Sequence, residues 1–106
     1  MVRAGWVMLV LAFAAPALAQ ESKFTIAIRD NQFVPAQLTV PAGVKIELIV
    51  RNEQRTPAEF ESTSLHREKV VAAGASISVF IGPLSPGRYE FFDDFHPATR
   101  GVLIAQ

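Results

Sequence analysis

The sequence predicts an all-β domain, an antiparallel sandwich of seven or eight short strands, on three observations. After Gln20 the apolar residues recur at every second position, not every third or fourth. The alternating runs are short and are separated by turns rich in Pro and Gly. A chain of 106 residues has room for one domain, and short alternating strands in one domain bury their apolar faces by stacking two sheets.

The elements follow in order. In Lys23 to Arg29, "KFTIAIR", Phe24, Ile26 and Ile28 fall on one face and Lys23, Thr25 and Arg29 on the other. Pro35 marks a turn before the strand "QLTV", and Pro41 to Gly43 punctuate again. "VKIELIVR" alternates Val44, Ile46, Leu48 and Val50, and "SISVFIG" alternates Ile77, Val79 and Ile81. Leu84 to Gly87 form a turn, "RYEFF" a strand and "GVLIA" the closing strand. Only Ala58 to Ala73 lacks clear alternation, and it reads as a loop or a helical turn. The expected core includes Ile26, Leu38, Ile46, Leu48, Val79, Tyr89, Phe91 and Leu103.

Residues 1–19 have the pattern of a signal peptide: a positive Arg3, an apolar run "WVMLVLAFAA" and a small-x-small site at Ala17-Leu18-Ala19. The run stops at Pro16, short for a bilayer span, although an uncleaved anchor is the alternative. Cleavage leaves residues 20–106 as the domain, exported to the periplasm. Without Arg3, nine basic residues face ten acidic ones, with no basic stripe to bind nucleic acid. The chain has no cysteine, so a small exported domain must here fold on its core alone and has no thiolate chemistry. Neither a Ser-His-acid order, nor a Gly-rich phosphate loop, nor an H-E-x-x-H zinc motif is present.

The stretch "FDDFHP", Phe92 to Pro97, brings two carboxylates, two aromatics and an imidazole into one hairpin. The chain around it resembles the cupredoxin-like family. Phe33 to Gly43 read F-x-P-x-x-L-x-V-P-A-G, and Gly87, Tyr89, Phe91 and His96 fit the family's tail pattern G-x-Y-x-F-x-C-x-x-H. The resemblance implies a Greek-key sandwich with a metal loop at one end. Asp93 stands where that pattern has its cysteine, and the methionine position is missing because the loop is about two residues shorter. Blue copper takes a thiolate, two histidines and a weak axial methionine. With no cysteine, and with Met1 and Met8 both in the leader, the resemblance does not extend to blue-copper electron transfer. Glu59 or Glu61 lies near the position of the family's first histidine. These exchanges put carboxylates in place of softer ligands, a donor set suited to iron, Cu(II), Zn(II) or Mn(II).

"EFES" and "REKVV" further resemble the EfeO-type cupredoxin-like domains of bacterial iron-uptake systems. That narrower likeness implies a divalent or trivalent iron or copper ion as cargo or cofactor, and an inner-membrane iron permease as partner. The expected metal ligands are Asp93, His96, Glu59 and Glu61, forming a mixed carboxylate–imidazole site. Asp94 and Glu68 are expected to support it from outside. For each there is a plainer alternative: an exposed loop histidine at His96, a turn cap at Asp94, a solvated acidic face at Glu59 and Glu61, and a surface charge cluster around Glu68. His66 has no counterpart in the family. Three functions are compatible with these features: a metal-binding module of iron uptake, a copper-dependent ferrous-iron oxidase subunit, and a metal-free adaptor sandwich. The exchange of carboxylate for thiol favours the first.

Overall fold

The computed structural model describes Ala4, Gly5, Val7, Met8 and residues 22–106. The segment read as a signal peptide and its cleavage site lie almost wholly outside the described residues. The described residues form nine strands: β1 (Lys23–Arg29), β2 (Gln32–Val34), β3 (Gln37–Val40), β4 (Ile46–Asn52), β5 (Ala58–Ser62), β6 (Arg67–Val71), β7 (Ser76–Ile81), β8 (Gly87–Asp93) and β9 (His96–Ala105). One sheet has the order β2-β1-β4-β7 and the other β3-β9-β8-β5-β6.

The fold is the all-β sandwich expected, with two refinements. Both sheets are mixed, because β1 runs parallel to β4 and β3 parallel to β9. Alternation along a strand fixes which residues face inward, but it is blind to the direction of the neighbour. The strand count rises to nine because β2 forms a tight hairpin with β1 and because two further strands, β5 and β6, stand between β4 and β7. The two-residue turn between β1 and β2 needs positive φ at both positions, and Asp30 (φ 49°) and Asn31 (φ 56°) supply it. Pro35 lacks an N–H with which to continue β2, and the chain crosses there from the first sheet to the second.

Ile26, Ile28, Ile46, Leu48, Val50, Val79 and Ile81 of one sheet pack on Val40, Phe60, Val71, Phe91 and Leu103 of the other. Phe91 centres this layer, edge-on to Phe33 at 4.9 Å and tilted against Phe60 at 5.3 Å. Gly101 lies opposite Phe91 in the β8–β9 ladder, and a Cβ there would come 2.4 Å from the Phe91 ring. Of the expected core, Leu38 and Tyr89 are only half-buried. Leu38 is on an edge strand, and the Tyr89 hydroxyl must reach the Ser85 carbonyl at 2.8 Å.

The stretch Ala58 to Ala73, expected to be a loop or helical turn, is instead the β5–β6 hairpin. Its alternation is disguised because several inward positions are polar. Ser62 is buried and donates to the Glu90 carbonyl at 2.6 Å while accepting from Leu65 N–H. Arg67 and Lys69 share the face of Phe60 but reach sideways across the open end of the sandwich. They donate to the carbonyls of Phe80 and Ser78, each at 3.0 Å, which β7 would otherwise leave bare at its free edge. Buried Asn52 fixes the entry to β5, with its amide bound to the carbonyls of Thr56 (2.8 Å) and Val71 (3.1 Å).

Candidate metal centre

Strand parity places every acidic candidate. Phe60 is fully buried and faces Asp93 across the β5–β8 ladder, so the Asp93 side chain points into the sandwich. The β8–β9 ladder is bulged at Phe92/Asp93, where the chain turns into β9. Asp93 has no solvent exposure. Its Oδ1 accepts the backbone N–H groups of Glu59 (2.9 Å) and Phe95 (3.0 Å). Its Oδ2 lies 3.1 Å from His96 Nδ1, and because a carboxylate only accepts, Nδ1 carries the proton. Nε2 is the ring nitrogen left over, on a side chain 40% exposed beside Phe95, Pro97 and Thr99.

The neighbours of these residues point the other way. Glu59 and Glu61 alternate with Phe60 and stand on the outer face of the sheet, and Glu68 lies directly opposite Glu61 on β6. Asp94 N–H donates to the Glu59 carbonyl at 2.9 Å, which brings Asp94 alongside. One carboxylate oxygen from each of Glu59, Glu61 and Asp94 lies within 4.8 Å of the other two. Glu59 is only 9% exposed. Its Oε1 and the Oε2 of Glu61 are buried and accept no hydrogen bond.

The electrostatics are one-sided. The Glu59 carboxyl is pushed up to about 7, first by the side chain of Glu68, close enough to share a proton. Burial adds to this, and so do the charges of Glu68, Asp94 and Glu61. Glu61 is raised as well, chiefly by burial and then by Asp94 and Glu68. Every contribution disfavours the ionised form, and none comes from a lysine or arginine. Buried carboxylate oxygens without hydrogen bonds are costly unless a cation takes their lone pairs. An all-oxygen donor set suits hard cations. It does not fit a type 1 copper ion, whose thiolate position is taken here by Asp93 with both oxygens already engaged.

The structure therefore brings Glu59 and Glu61 together with Asp94, with Glu68 next to them, and separately pairs Asp93 with His96. The four expected ligands do not converge on one point. Among the described residues, Glu59, Glu61 and Asp94 are the group of three ligating side chains that do. Asp94 is thus a member of the cluster, not a support behind it. Its signal was in the sequence, since Asp94 follows an inward Asp93 and so shares the outward face of Glu59 and Glu61. His66 lies at positive φ (55°) in the β5–β6 turn and is exposed.

Comparison with known proteins adds the family. The chain is 50% identical over 80 residues to the Rickettsia prowazekii (strain Madrid E) protein RP394, covering 74% of this chain. It spans 64% of that relative's length. Among solved structures it is similar to reduced auracyanin from Roseiflexus castenholzii, with a TM-score of 0.68 at 15% identity over 83% of this chain and 99% of that one. The metal-binding domain of the Streptococcus pneumoniae D39 Cu(I)-exporting ATPase CopA, solved with Cu(I), gives 0.68 at 17% identity over 79% and 84%. A purple cupredoxin from Nitrosopumilus maritimus gives 0.62 at 18% over 77% and 98%. At such identities these structures bear on the fold alone. With the model of the cupredoxin-like domain matching residues 2–105, the chain belongs to the cupredoxin-like domain family.

Proposed function

We propose that this protein is an exported, periplasmic metal-binding member of its family that holds a hard cation on the outer face of its five-stranded sheet. Glu59, Glu61 and Asp94 are its ligands and Glu68 is a fourth carboxylate within reach. The observation that carries this reading is the pair of buried, unpartnered oxygens, Glu59 Oε1 and Glu61 Oε2, converging with Asp94. When bound, the cation supplies the positive charge that four clustered carboxylates lack. Iron is the cargo this donor set and the "EFES" and "REKVV" stretches favour, with an inner-membrane iron permease as the partner served. The CopA domain was solved with Cu(I), but residues 20–106 of this chain hold no thiolate or thioether for a soft ion.

The test is calorimetric titration of residues 20–106 with Mn(II), anaerobic Fe(II), Cu(II) and Zn(II). Saturable binding of one Mn(II) or Fe(II) is expected, weakened about tenfold or more by Glu59→Gln or Glu61→Gln. Equal affinity in the wild type and both variants would remove the metal from this face.

A further inference from the structure

We infer that Asp93 is the positioning residue of the carboxylate centre, a clamp that sets Glu59 beside Asp94, and not a ligand. This rests on the outer-face cluster being the metal site. In a regular antiparallel ladder, Glu59 and Asp94 would exchange two backbone hydrogen bonds. Only one is present, from Asp94 N–H to the Glu59 carbonyl at 2.9 Å. The chain turns away at the Phe92/Asp93 bulge, and the Glu59 N–H donates to Asp93 Oδ1 at 2.9 Å. The Asp93 side chain thus supplies the missing half of the pair.

The same oxygen takes Phe95 N–H at 3.0 Å, which fixes the far side of the turn. The backbone around Asp94 is therefore tied to β5 on one side and to its own hairpin on the other, and Asp94 is delivered to the outer face. Oδ2 is occupied by His96 Nδ1 at 3.1 Å, and the side chain has no exposure. Neither oxygen can turn outward without abandoning an N–H, that of Glu59 being buried. The position that holds cysteine in the family's tail pattern acts here through the backbone, on a cation on the other side of the sheet.

Asparagine separates a clamp from a ligand. Its Oδ1 can accept the same two N–H groups, and its Nδ2 can donate to His96 Nδ1 in the other tautomer. Mn(II) is the probe, read by titration, by the EPR spectrum of the bound ion, and by hydrogen exchange at the Glu59 and Phe95 amides. Asp93→Ala should lose about tenfold or more in Mn(II) affinity and lose protection at both amides, and Asp93→Asn should restore both. The Asn variant should also give the wild-type EPR spectrum of bound Mn(II). If Asp93→Asn binds as poorly as Glu59→Gln while its amides stay protected, Asp93 is a ligand and the inference is overturned. Should Asp93→Ala fail to fold, the Asn variant decides alone. If the wild type takes up no Mn(II), the proposed function fails, and the exchange arm still judges the clamp: unchanged protection in Asp93→Ala overturns it.

Discussion

Glu59 is both shielded from water and surrounded by negative charge, and its titration should report this. Its carboxyl is raised from 4.5 to about 7, so between those values the folded protein holds a proton that the unfolded chain releases. Metal-free stability must therefore fall as pH rises through that window. A cation has to displace the same proton, so affinity should rise over the same range. Thermal melts at about pH 5 and about pH 8, with and without Mn(II), test both signs. Glu59→Gln should flatten the metal-free dependence, and an unchanged slope would place the titrating group elsewhere. His96→Ala, away from the cluster, should change Mn(II) affinity far less than Glu59→Gln does. Much of this was legible in the sequence. The alternation of Tyr89 and Phe91 carries on to an inward Asp93 and an outward Asp94, and Glu59 and Glu61 share a face, with Phe60 turned to the core, once their stretch is extended. The same parity, applied to β5 and β8 together, already separates Asp93 from Glu59 and Glu61. What the sequence did not reveal was the pairing of Phe60 with Asp93, which makes the two parities comparable.

Among the elements, β8 and β9 depend on Gly101, whose missing side chain leaves room for the Phe91 ring. Gly101→Ala should destabilise the fold by about 1–3 kcal/mol, as overpacking a filled core does. Urea unfolding checks this, and a midpoint equal to the wild type's would mean that the ring moves aside freely. The hairpin β5–β6 was the element least legible in the sequence, and the reason is specific. A core-side position is normally apolar, but those of β6 hold Arg67 and Lys69, whose side chains reach out past the core to cover the carbonyls of β7 in the other sheet. A demand from another sheet cannot be read within a ten-residue window. Replacing both with alanine uncovers that edge, so the variant should self-associate more readily, measurable by sedimentation velocity.

At the scale of the molecule, the sandwich was legible because period-two alternation survives wherever one face is buried. The parallel pairs β1–β4 and β3–β9 were not, because the direction of a neighbour leaves no mark on a strand's own residues. The absence of cysteine also acts at this scale. Cu(II)-loaded protein should lack the intense visible band of a copper–thiolate bond and show only the weak absorption of oxygen and nitrogen ligation. An absorption spectrum settles this, and a deep blue protein would contradict the ligand chemistry described above.

Strand β6 lies at the edge of its sheet, laddered to β5 on one side only, and it carries Glu68. The fourth carboxylate within a cation's reach therefore stands on a border strand, fastened by that ladder and by the side chains of Asn52, Arg67 and Lys69. Were β6 to lift, a bound ion would lose Glu68 and keep the oxygens of Glu59, Glu61 and Asp94.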